Sequence, residues 1–220
     1  MATSSLDDLD LVIRTMSKTI VDNADYFAQL DSIVGDGDFG YSLRNGWEVV
    51  LADYDSWDKP TVGAVLKKIG LTLSAKVGGV SGPMWGTAFL RAGATAGDRT
   101  DLAPADLIEM LRAAIAGIMA RGGASLGDKT LLDALAPATD SLEASFADPA
   151  TFEDRGVAAI QRAADVAVKA AEDTMGMLAL RGRAAYTGDR SKDSVDAGAT
   201  AIGVILQAVA AAWAEKHGKA

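Results

Sequence analysis

Asp31, Asp36 and Asp38 crowd into the run Asp31-Ser32-Ile33-Val34-Gly35-Asp36-Gly37-Asp38-Phe39-Gly40. Clustered carboxylates repel one another unless a cation neutralises them, and hard cations such as Mg2+ or Ca2+ take oxygen ligands of this kind. Gly35, Gly37 and Gly40 let the backbone fold tightly enough for the carboxylates to point inward together. The run is not an EF-hand: Asp36-Gly37-Asp38 begins like a fragment of one, but no glutamate stands at the position that closes such a loop. On spacing alone, a metal site and an Asp/Gly turn with solvated carboxylates both remain open.

Three further segments carry residues of interest. Gly78-Gly79-Val80-Ser81-Gly82-Pro83 opens into a predicted helix. Its glycines allow close backbone approach, and a helix N-terminus offers unpaired N–H groups to a phosphate. It is neither a Walker A loop, since no Gly-Lys-Ser/Thr follows at the required spacing, nor a Rossmann turn, since no strand precedes it. An ordinary glycine loop fits the same letters. Gly122 to Lys129 is a third loop, in which Asp128 or Thr130 serves either as a helix cap or as support for a nucleotide pocket. Arg181 to Val195 is polar and non-periodic, and reads as a solvated charged loop or as an arm whose Arg183 grips a phosphate through its planar fork.

These segments are spaced by helices. Ser5, Asp7 and Asp8 form a helix start, and Leu9, Ile13, Met16, Ile20, Ala24 and Phe27 continue as one apolar stripe. Further helices are expected over Tyr41 to Tyr54, Thr61 to Lys76 behind Pro60, Met84 to Ala96, and from Pro104 along Leu107, Leu111, Ile115 and Ile118. Thr130 to Ser145, Thr151 to Met177 and Asp196 to Lys216 complete a set of eight. No segment alternates with period two for long enough to demand a sheet. The fold class is therefore all-α: a single domain over residues 1–220, an eight-helix antiparallel up-and-down bundle or barrel. The unusual loops follow the first, third, fifth and seventh helices. Alternate loops of such an arrangement share one end, so all four can converge on one site.

Composition narrows the chemistry. Of the 220 residues 49% are hydrophobic but only 6% aromatic, so the core must rest on small and aliphatic side chains. The net charge of -9 disfavours nucleic acid and anionic membrane as partners. There is no cysteine, which excludes thiolate catalysis and Cys-type zinc sites. The one histidine, His217, lies in the C-terminal region, where an exposed place at a helix end is expected. No apolar run approaches a membrane span, and the N-terminus lacks the pattern of a signal peptide, so a cytoplasmic location is expected.

Taken in order, LDSIVGDGDFG, VGGVSGPMWGTAFLRAG, RGGASLGDKTLLDALAPA and GRAAYTGDRSKDSVDAGAT resemble the L subunit of dihydroxyacetone kinases along nearly the whole chain. The resemblance implies an eight-helix antiparallel barrel with ADP or ATP and two Mg2+ in loops at one end. It implies Asp31, Asp36 and Asp38 as metal ligands. It implies nucleotide contacts at Phe39, Gly40, Tyr41, Ser42, Val80, Ser81, Gly122, Leu131, Arg183, Asp196, Ala197 and Gly198. No side-chain nucleophile of this chain is implied. The ketose is held covalently by a separate K-type subunit through that subunit's own histidine, and a phosphotransferase-system phosphocarrier protein recharges bound ADP; exchange of free ATP is the other version. A homodimer is left open. The sequence departs from the family in two places: Phe39 stands where a histidine is usual, and Ala197 where a proline is usual. These departures keep a related ketose such as erythrulose open, and also a nucleotide-loaded regulatory protein that does no chemistry.

Overall fold

The computed structural model describes residues 5–147 and 156–218, and among them every regular element is helical. Asp7 and Asp8 place negative charge in the first turn of α1 (Ser5–Asp22), whose Ile13 and Ile20 are buried. The predicted stripe continues, but the helix bends. At Asn23 the backbone turns aside (φ -103°, ψ 11°) and the Asn23 amide Nδ2 donates to the Thr19 carbonyl at 2.8 Å. The helix resumes as α2 (Ala24–Ser32), which buries Ala24, Phe27 and Ala28. The helical bonds Asn23 N to Thr19 O and Phe27 N to Asn23 O persist at 3.1 and 3.0 Å, so one expected helix is bent into two rather than severed.

The remaining elements are α3 (Phe39–Asp53), α4 (Val62–Lys76), α5 (Ser81–Ala96), α6 (Pro104–Gly122), α7 (Leu132–Phe146), α8 (Val157–Glu172) and α9 (Ala197–His217). Short 3-10 turns cover Tyr54–Ser56 and, on either side of a break at Gly188 (φ +58°), Arg183–Asp193. Thr61, rather than Pro60, starts α4: its hydroxyl accepts from Ala64 N at 3.1 Å. Pro104 opens α6, Asp106 reaches back to Ala103 N at 2.8 Å, and Gly123 ends the helix with a left-handed φ of +58°. The helix expected over Thr151 to Met177 stops at Glu172, and its first residues, 151–155, lie outside the described ones.

Packing closes these helices into a ring. The order of contacts is α1, α3, α4, α5, α6, α7, α8, α9 and back to α1, with α2 extending α1 against α3 and α9. The eight-part antiparallel barrel is therefore present, its first part bent at Asn23. Trp47 sits fully buried, edge-on to Trp85 and to Phe89. An apolar cavity of about 370 Å³ inside the ring is lined by residues such as Trp85, Phe89, Met110, Leu135, Ile202 and Leu206. By length and composition α9 could cross a membrane, contrary to expectation; here it packs against α1, α7 and α8 as part of the barrel wall. His217 is also not exposed. Its side chain is 5% exposed, with Nε2 2.9 Å from Asp8 Oδ1 and its ring 4.5 Å from that of Trp213. With Lys216, whose Nζ lies 2.9 Å from the same carboxylate oxygen, it ties the end of α9 to the start of α1.

Where α4 meets α5 the backbones nearly touch. A Cβ on Gly63 would overlap the Gly97 carbonyl oxygen and stand 2.6 Å from that of Gly93. Gly63→Ala must push these helices apart and is expected to cost about 1–3 kcal/mol, the range for overpacked cores. Thermal or denaturant unfolding checks this; an unchanged midpoint would mean that the α4–α5 contact yields freely.

Candidate functional site

The chain's up-and-down course brings the loops after α2, α4, α6 and α8 to one end of the barrel, and specific contacts join them. Arg183 Nη2 lies 2.9 Å from Asp36 Oδ2, linking the fourth loop to the first. Arg181 Nε lies 2.9 Å from Asp128 Oδ2, and Leu180 N donates to the Asp128 carbonyl at 3.0 Å, linking the fourth to the third. A Cβ on Gly78 would lie 3.1 Å from Ser42 Oγ, so the second loop abuts the first turn of α3. A Cβ on Gly122 would lie 3.3 Å from Met84 Sδ, so the end of α6 abuts the start of α5.

Asp31 closes α2, Asp36 lies in the turn, and Asp38 precedes α3; ligand oxygens from all three lie within 4.8 Å of one another. Two glycines make this possible. A side chain at Gly35 would collide with the Asp31 carboxylate, and Gly37 adopts a φ of +72°, which L side chains rarely take. Phe39 N donates to Asp31 Oδ2 at 3.4 Å. Burial raises the Asp31 pKa above the usual carboxylate value; N–H groups of Phe39 and Gly37 oppose this, and the charges of Asp36 and Asp38 add to it. A divalent ion relieves both the desolvation and the repulsion. Hard oxygen donors within reach of one centre fit Mg2+ or a similar ion.

Next to this cluster, no side chain caps the N-terminus of α5, where Val80 precedes Ser81. The first N–H groups of that helix are thus available to an anion. Gly79, with φ +61°, turns the chain into it. Leu131 is partly buried at the start of α7, and a Cβ on Gly198 would lie 3.2 Å from its Cβ, so α9 begins against α7. Asp196 caps α9 by accepting from Ala199 N at 2.7 Å, while its own N–H donates to Thr174 Oγ1 at 2.8 Å. Crowding by protein raises the Asp196 carboxyl to about 6 despite these N–H groups. Ala197 and Gly198 form the first turn behind it.

The Phe39 ring lies 6.3 Å from that of Phe27 and packs against the core, while its N–H faces Asp31. The Phe39 side chain thus turns into the core, and its backbone alone faces the site. Gly40 lets α3 approach α2, because a Cβ there would stand 2.7 Å from Ala28 N. Tyr41 is exposed, with the Arg44 guanidinium 5.1 Å from its ring centre.

Two residues outside the expected set organise the third loop. Asp133 accepts from Gly127 N at 2.5 Å and Thr130 N at 2.7 Å, bracing the entry to α7. Asp128 accepts from Ser125 N at 2.9 Å and is not a cap for α7, whereas the Thr130 hydroxyl accepts from Leu132 N at 3.2 Å. Lys129 is 3% exposed, and its ammonium donates to the carbonyls of Met177, Ser191 and Ser194. A lysine among loop residues reads as solvated in a sequence, and nothing local distinguishes this one.

Residues 33–211 match the DAK2 domain family. The chain is 35% identical over 192 residues to the PEP-dependent dihydroxyacetone kinase, ADP-binding subunit DhaL, of Escherichia coli, covering 87% of this chain and 90% of that protein. It is 32% identical over 197 residues to the D-erythrulose kinase of Mycolicibacterium smegmatis, covering 89% of this chain but 33% of that protein. The crystal structure of the dihydroxyacetone kinase of C. freundii has the same fold, with a TM-score of 0.71 at 24% identity over 96% of this chain and 35% of that one.

The folded chain holds the Asp196 proton more tightly than the unfolded chain, whose value is near 3.8. The resulting stability is fully present below that value and is lost as pH rises through about 6. Melting of the nucleotide-free protein should therefore fall, relative to Asp196→Asn, as pH rises from about 4 to about 6, the window those two pKa values set. Parallel curves across that range would show that Asp196 is not desolvated. Asp31→Asn, Asp36→Asn and Asp38→Asn should each weaken Mg-nucleotide binding by about tenfold or more while leaving the helical circular dichroism intact. Unfolding of these variants would mark the cluster as a structural site.

Proposed function

Because the chain belongs to the DAK2-domain family, we propose that it is the nucleotide-binding subunit of a dihydroxyacetone-type kinase, a phosphotransferase acting on a short ketose. The observation that carries this reading is the convergence of three carboxylates, an uncapped helix N-terminus and Arg183 at one end of the barrel. The naming of similar proteins as ADP-binding subunits supports it.

Asp31, Asp36 and Asp38 are the residues that would hold Mg2+, two ions in the fullest version. Bound there, the metal would neutralise phosphate charge and polarise the transferring phosphoryl group. The protein's own part is positioning, which phosphoryl transfer needs more than a nucleophile. Phe39, Gly40, Tyr41 and Ser42, together with Val80, Ser81 and Gly122, border the phosphate tail, and the uncapped first N–H groups of α5 receive it. Arg183 adds a cation to it from the opposite loop. Leu131 and the turn Asp196-Ala197-Gly198 border the nucleoside.

The acceptor hydroxyl comes from a ketose held on a K-type partner subunit. Apolar side chains exposed around this end, including Ile33, Val80, Leu126, Met175, Leu180 and Tyr186, suit a docking face for that partner. The names of similar subunits as PEP- or PTS-dependent support recharging of bound ADP by a phosphocarrier protein. Similarity to erythrulose kinases supports a related ketose as the alternative substrate.

Mixing the chain with a K-type subunit, dihydroxyacetone or erythrulose and a phosphoryl donor should yield the ketose phosphate. Asp36→Ala should lower that rate by about 100-fold or more, since metal-centred charge stabilisation supplies several kcal/mol. Undiminished product formation by Asp36→Ala would refute the metal-centred reading. ADP that stays bound through dialysis would favour recharging in place; rapid exchange with ATP would favour the ATP-dependent form.

A further inference from the structure

The arm between Thr174 and Asp196 carries Arg183 to the metal corner, yet little apolar burial holds it there. Met175, Leu178, Leu180 and Tyr186 are all exposed. The Arg183–Asp36 pair is itself open to solvent, with side chains 66% and 37% exposed, and pairs of this kind stabilise little. The arm's position must be set elsewhere.

Lys129 supplies such a point. Its three ammonium donors meet three main-chain carbonyls of the arm, at 3.3 Å to Met177 O, at 2.5 Å to Ser194 O and in a short contact to Ser191 O. These acceptors lie on both sides of Arg183, so one buried cation gathers the two limbs of the arm. Ser191 is fully buried and continues the link, its hydroxyl accepting from Ala179 N at 2.9 Å and donating to Gly188 O at 2.7 Å. Lys129 is also the one non-glycine among the described residues with a positive φ, at +61°. A strained backbone persists where its surroundings over-determine it, and such positions cluster at working sites.

We propose that Lys129 is a positioning residue for the nucleotide site: its buried ammonium clamps the arm through the carbonyls of Met177, Ser191 and Ser194 and so holds Arg183 against the Asp36 corner. This rests on the reading of Arg183 as a phosphate contact. The three carbonyls take up the Lys129 ammonium donors, so Lys129 acts through the arm rather than on nucleotide or metal.

A double-mutant cycle on the full-length chain tests it, with the Mg-ADP dissociation constant as readout. Lys129→Gly removes the ammonium while relieving the backbone, and Lys129→Met removes the charge while keeping the bulk. Each is expected to weaken Mg-ADP binding by about tenfold or more, as is Arg183→Ala. On either Lys129 background, Arg183→Ala should cost at most about threefold further, because the arginine is already displaced. A support that serves only the fold would give independent, multiplying losses, and that result overturns the proposal. So does full affinity in Lys129→Gly alongside weakened Arg183→Ala, in which case the phosphate assignment survives. Undiminished affinity in Arg183→Ala instead overturns that assignment and the proposal with it. Loss of the helical signal in both Lys129 variants also overturns it, since the ammonium would then support the barrel itself.

Discussion

Three like charges held within reach of one ion set the terms for everything around them. Asp31, Asp36 and Asp38 repel, and burial adds to the cost of ionising Asp31. The fold concentrates that charge where Gly35 and Gly37 let the turn close, and it places cationic and N–H partners on the facing loops. Arg183 meets the cluster from one side, and the open N-terminus of α5 lies on another. An arrangement with acidic and anion-receiving halves is matched to a metal with a phosphate chain, where each half neutralises its own partner.

The barrel makes this possible by keeping the two ends distinct. The end opposite the loops is tied by side chains: Asp8 binds Lys216 and His217, and Ser5 Oγ donates to Asp101 at 2.7 Å. The end with the loops is organised by the ion pairs Arg181–Asp128 and Arg183–Asp36 and by side chains that bond the main chain. Asp133, Asp128 and Lys129 each bond backbone atoms of neighbouring turns rather than one another. Helix packing fixes where the loops start, and these bonds fix where they go.

Much of this was legible in the sequence because the signals were local. The acidic first turn of α1, Pro104 with Asp106, and the Asp/Gly run are short patterns with direct physical meanings, and alternate loops meet at one end by topology alone. What escaped left no mark on the local spacing of residue types. The stripe from Leu9 to Phe27 is continuous, so the bend of the backbone at Asn23 left no trace in the periodicity. His217 looked solvated because its carboxylate partner stands at the other end of the chain. Lys129 carried no signal in the sequence because its acceptors are carbonyls, to which every residue type contributes alike. The residue-level reading left metal and phosphate open, and the ordered family motifs favoured both.

The central claim is that this end of the barrel binds nucleotide through a metal held by the aspartates. Calorimetric titration of ADP into the metal-free chain, with and without Mg2+, tests it most directly. The account predicts that Mg2+ tightens ADP binding by about 100-fold or more, because without it the carboxylates face the phosphates as like charges. Equal affinity in the presence and absence of Mg2+ would contradict it.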